Sequence, residues 1–203
     1  MAYTIEEEQE LNELKTWWKE NYKSIIVIVL LAFSGVFGWR YWQDYQTTKK
    51  QTLSAQYDEL ISSAENQSIY NAQLDRFVQE NGETTYAVFA LLDKAKLEVS
   101  QQNFVQAEET LKQAIVNTSD DILMSITAIR LATVQYQLQK FDEALASLNQ
   151  VKGQSWDVSK LLLSGDIQLA KGNKEIAKDN FEQALTKATS WEKSFIQVRL
   201  NSL

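Results

Sequence analysis

At 203 residues the chain has room for one soluble domain and a short appendage, and 44% hydrophobic against 23% charged residues excludes a disordered chain. The absence of Cys and His excludes disulfides, thiol nucleophiles, imidazole bases and the usual zinc ligand sets. A net charge of −7 disfavours binding to phosphate backbones.

There is no Pro, where average usage gives roughly ten in a chain of this length, and only 6 Gly. Without its strongest helix breaker the chain is expected to be all-α. Residues 1–22 form an acidic tail, with Glu6, Glu7, Glu8, Glu10, Glu13 and Glu20 against Lys15 and Lys19. Leu11, Leu14 and Trp18 fall on one helical face. Such a face suits either a lead-in helix lying on lipid headgroups or a docking helix for a partner.

From Ser24 to Trp39 the sequence SIIVIVLLAFSGVFGW carries no charge. As a helix this run is about 24 Å long, and flanking residues extend it toward the ~30 Å of a bilayer core. Lys23 and Arg40 can snorkel outward, while Trp17, Trp18 and Tyr22 on one side and Trp39, Tyr41 and Trp42 on the other supply interfacial aromatic belts. The predicted transmembrane helix spans 23–42. A cleaved signal peptide fits poorly, because the run ends in bulky GWRYW rather than small residues. Basic residues are nearly balanced across the segment, so charge alone leaves its orientation open. A short inner tail and a long outer domain are consistent with a signal anchor.

Beyond the anchor, Asp44 to Glu65 reads as a continuing helix and Asn81-Gly82 as a break. Residues 53–80 are expected to hold a degenerate helical pair, with Tyr57, Leu60, Ile61, Leu74 and Phe77 turned inward. A repeat then appears. The small residues Ala95, Ala132 and Gly165 are each followed 12 positions later by Ala107, Ala144 and Ala177. Leu111, Leu148 and Phe181 come four residues further on, then Ala114, Val151 and Ala184 after three more. Phe104 and Phe141 recur, with Lys174 at the third position. Small residues let two antiparallel helices cross closely, and large ones one turn on plug the groove to the next helix. Gln102-Asn103, Gln139-Lys140 and Lys171-Gly172-Asn173 supply the turns.

This pattern resembles the tetratricopeptide repeat family. It departs from that family in lacking the proline that commonly closes the second helix, and in filling the junctions 117–121 and 152–157 unequally. The expected domain spans 43–203, with repeats at about 84–120, 121–157 and 158–190. A cap at 191–203 would carry Phe195, Val198 and Leu200 inward. In this family the first helix of each repeat lines the concave face. Mapped onto this chain, the resemblance implies a partner-binding groove of Phe89, Lys96 and Val99, then Ile126, Ile129, Thr133 and Tyr136, then Leu162, Asp166 and Leu169.

The full order of segments is similar to that of the ancillary SecYEG translocon subunits of bacteria (the YfgM type). The local pieces that carry this likeness are Gly38-Trp39-Arg40-Tyr41-Trp42, Asn117-Thr118-Ser119-Asp120, Arg130-Leu131-Ala132 and Lys152-Gly153. It implies a single-pass type II protein of the bacterial inner membrane with its C-terminal domain in the periplasm. It also implies a place beside the SecYEG translocon with a membrane-anchored, PpiD-like periplasmic chaperone, near emerging secretory chains. No cofactor or metal is expected.

Acidic pairs at Glu108-Glu109, Asp120-Asp121 and Asp142-Glu143 could in principle serve carboxylate chemistry. Helix capping and surface solvation explain their positions more simply. The expectation is a non-enzymatic, membrane-anchored scaffold. The alternatives are a scaffold for another envelope assembly, or a regulator acting through its cytoplasmic tail.

Overall fold

A computed structural model describes residues 5–63 and 67–203. Residues 1–4 of the acidic tail, and Glu65 at the expected end of the long helix, lie outside the described residues. The described residues form helices α1 (Ile5–Ser62), α2 (Gln67–Asn81), α3 (Thr85–Ser100), α4 (Phe104–Val116) and α5 (Asp121–Gln137). After these come α6 (Phe141–Leu148), α7 (Asp157–Ala170), α8 (Lys174–Lys187) and α9 (Ser190–Asn201), with a single 3-10 turn at Gln154–Trp156 before α7. No strand occurs among the described residues, as a chain devoid of Pro and rich in helix formers dictates. The chain divides into two compact units, 1–55 and 56–203.

The first unit holds the apolar run. Its apolar window has a mean hydropathy of 1.8 and none of it is buried by protein, so it is long and apolar enough to cross a membrane. Within it the Ser34 hydroxyl donates to the Leu30 carbonyl at 2.8 Å. That bond satisfies the hydroxyl in the middle of the apolar run, the arrangement a hydrocarbon surrounding requires. Trp17, Trp18, Tyr22, Trp39, Tyr41 and Trp42 are all exposed.

In the second unit the end of α1 and α2 make the first pair. Leu60, Leu74 and Phe77 are buried and Tyr57 is half-buried, but Ile61 is exposed. Tyr70 and Val78 complete the inward face of α2. With Leu74 and Phe77 they keep the 4-3-1 spacing of a single helical stripe, a stripe the residue list from sequence had only half captured.

Three further pairs follow, α3 with α4, α5 with α6 and α7 with α8. Ala95, Ala107, Ala114, Ala132, Ala144, Ala177 and Ala184 are all buried at the crossings, and Leu111, Leu148 and Phe181 beside them are also buried. The third pair differs in an informative way. A Cβ added at Gly165 would lie 2.3 Å from the Phe181 ring. The first two pairs combine Ala with Leu and the third combines Gly with Phe, so volume is conserved across the crossing.

Each first helix ends in the same way. Gln102, Gln139 and Gly172 take φ of 62°, 60° and 84°. Their N–H groups bond to Val99, Tyr136 and Leu169 carbonyls, and the next residues reach back to Glu98, Gln135 and Gln168. This is the Schellman arrangement, which satisfies the orphan carbonyls and reverses the chain. In the third copy Lys174, standing where Phe104 and Phe141 do, instead reaches the Leu203 carbonyl at 3.1 Å.

The terminal helix corrects the expected cap in part. α9 turns Ile196 and, as expected, Leu200 toward Phe181, Ala177 and Ala184, and Leu203 just past its end joins them. Phe195 and Val198 are 57% and 68% exposed. The capping box formed by Thr189 and Glu192 fixes the start of α9, and with it the register that selects Ile196.

Candidate partner-binding groove

The first helices of successive pairs, α3 and α5, touch and leave a cavity of about 360 Å3 between them. Leu92, Ala95, Leu111 and Val134 are its buried floor. Lys96, Val99, Ile129, Arg130 and Thr133 complete the lining. The Thr133 hydroxyl is committed to the Ile129 carbonyl at 2.8 Å, so its methyl group is the part left to the cavity.

Of the ten groove residues expected from sequence, this cavity brings together Lys96, Val99, Ile129 and Thr133. The others have neighbours of their own. Phe89 lies tilted against Tyr57 and edge-on to Tyr86, at ring separations of 6.4 Å from each, and the Tyr57 hydroxyl donates to Asp93 at 2.5 Å. Burial, followed by that hydrogen bond, pushes the Tyr57 phenol well above its ordinary range. Tyr136 lies 6.0 Å from Phe141 and packs with Ile129 against the buried residues of the second pair. Ile126 is half-buried. Leu162 and Leu169 pack on the cluster that includes Ile196 of α9. Asp166 holds Arg199 of α9 through a forked contact, with Nε at 2.9 Å and Nη2 at 3.2 Å. The hydrogen bond to Asp166 raises the guanidinium further above its ordinary value.

Sequence reasoning missed Arg130 as a lining residue, although its place one step after Ile129 on the same helix was a usable signal. It also placed Glu108 on a helix surface. Glu108 is fully buried. Lys140 Nζ stands 2.6 Å and Lys112 Nζ 2.9 Å from its carboxylate, and the Gln135 side-chain amide donates to it at 3.3 Å. The Ser147 hydroxyl donates to Gln135 at 2.7 Å, so one polar tie joins α4, α5 and α6. Burial on its own would raise this carboxyl, but bonds from Lys140, Lys112 and Gln135 outweigh it and hold the pKa at about 2. Of the other acidic pairs, one caps a helix and the other lies in a helix's first turn. Asp120 accepts from the Ile122 and Leu123 N–H groups at 2.9 Å each, and Asp142 and Glu143 occupy the first turn of α6. Among the described residues no group of three or more acidic side chains converges to hold a metal ion.

A model of the tetratricopeptide repeat-like domain matches residues 15–203. A protein of Aggregatibacter actinomycetemcomitans named as an ancillary SecYEG translocon subunit is 52% identical over the whole of both chains. The chain belongs to the family of ancillary SecYEG translocon subunits. A family member from Haemophilus influenzae with the same name is 50% identical, again over the full length of both. The Escherichia coli member is 30% identical over 97% of this chain and 96% of its own. Likeness at full length takes in the apolar helix and the repeat domain together.

Proposed function

We propose that this protein is a non-enzymatic scaffold of the bacterial inner membrane, held by residues 23–42 with its repeat domain on the periplasmic side. There it accompanies the SecYEG translocon and positions a membrane-anchored, PpiD-like chaperone where translocated chains emerge. The observation that carries this reading is full-length identity of 50–52% to proteins named as ancillary SecYEG translocon subunits. An apolar helix left unburied by protein supports the anchor. Tethering raises the effective concentration of any partner in the same membrane, so weak contacts through the α3–α5 cavity suffice.

Affinity purification of the full chain in mild detergent at native expression tests the assembly. Recovery of translocon and chaperone subunits is expected, and their absence would overturn it. Sidedness is tested separately. The chain has no Cys, and Ser100 is exposed at the end of α3. A Ser100→Cys variant should react with an impermeant thiol reagent in intact spheroplasts. Labelling only after lysis would put the domain in the cytoplasm.

A further inference from the structure

The α3–α5 cavity stands out electrostatically. From Gln56 onward the chain carries 20 acids against 14 bases. Nine of those bases, including Lys94, Lys112 and Lys140, are paired with acids. Lys96 and Arg130 have no ion-pair partner among the described residues, and both flank the same apolar cavity. In an acidic domain, two unneutralised cations beside a floor of Leu92, Leu111 and Val134 make a local site of opposite sign to its surroundings.

Its extent is equally informative. Neighbouring groove positions are filled from within: Tyr57 and Tyr86 flank Phe89, Phe141 backs Tyr136, and Arg199 engages Asp166. What stays open is the cavity of about 360 Å3 between α3 and α5. A stable protein–protein interface buries roughly 1,200–2,000 Å2 with several anchors, so an open stretch lined by only nine residues favours a brief contact with an extended chain over docking of a folded surface. Resting on the function proposed above, we propose that this cavity transiently seats an unfolded polypeptide segment, taking one large apolar side chain while Lys96 and Arg130 engage carboxylates next to it. The site would thereby select among emerging segments by local acidity.

The test is fluorescence anisotropy with the full chain in nanodiscs and an unstructured synthetic peptide carrying one Leu flanked by Asp and Glu. Binding should fall about tenfold when Lys96→Glu and Arg130→Glu are combined, and should weaken with salt. Lys193→Glu, an exposed control, should leave it unchanged. The doubly reversed protein should instead prefer a peptide with Lys in place of the acids. Equal binding of acidic and basic peptides by the unaltered chain, or indifference to the double reversal, would overturn the inference. Retention of translocon subunits by the reversed variant in detergent, with peptide binding lost, would support it. Failure of the unaltered chain to recover those subunits would count against the scaffold reading alone, because the peptide assay reads the cavity directly.

Discussion

Glu108 is the residue whose environment sets the strongest expectation. Its carboxylate is fully buried and held by two lysines and an amide. Glu108→Gln keeps the volume but removes the charge that both lysines face, and should lower stability by about 2 kcal/mol at neutral pH. The pH dependence has a definite sign. The folded carboxyl is lowered to about 2, while an unfolded glutamate titrates near ~4.3. The stabilisation is therefore complete above the unfolded value and is lost as pH falls toward 2. Urea unfolding of both proteins should show their difference shrinking through that window. A constant difference would mean that the charge is not what the network uses. The adjacent pair Glu108-Glu109 looks solvated in sequence. Only the arrival of Gln135 and Lys140, 27 and 32 positions away, makes one of the two a core residue.

Within the elements, the three helix ends offer an internal comparison. Gly172 adopts its left-handed conformation without a Cβ, whereas Gln102 and Gln139 adopt it with one. A left-handed non-glycine residue costs roughly 1–2 kcal/mol, partly offset by the greater freedom of glycine in the unfolded chain. Gln139→Gly should raise the melting temperature, by about 0.5 kcal/mol in stability, and Gly172→Ala should lower it. The crossing of α7 and α8 makes a second comparison. Gly165→Ala drives a methyl group into the Phe181 ring and should cost about 1–3 kcal/mol. Phe181→Leu in the same chain restores the Ala–Leu combination of the other pairs, and the double variant should recover most of the loss. Additive losses in a double-mutant cycle would contradict the volume argument. Small-residue spacing made these crossings legible in sequence, because the steric demand is local and recurs. The facing of α9 was not legible, since its register depends on where Thr189 and Glu192 start the helix. One residue of shift exchanges Phe195 for Ile196.

At the scale of the molecule, the two units differ in how directly the sequence reveals them. The charge-free run 24–39 was readable from composition alone, because length and apolarity are one-dimensional properties of a chain. The groove was readable only in its centre. Spacing identifies which residues belong to a first helix, but not which of them a later element will cover, and Asp166 and Leu169 meet α9 from some 30 positions further along. Stacked helical pairs ordinarily behave as a row of neighbours that can open from either end. The tie from Glu108 through Gln135 to Ser147 alters that behaviour, because it spans the boundary between one pair and the next. Hydrogen–deuterium exchange should therefore find α4, α5 and α6 losing protection as a single cooperative block, with α8 and α9 fraying at lower free energy. A load applied at the far end of the repeat array would then detach its last turns before it disturbed the block that carries Arg130.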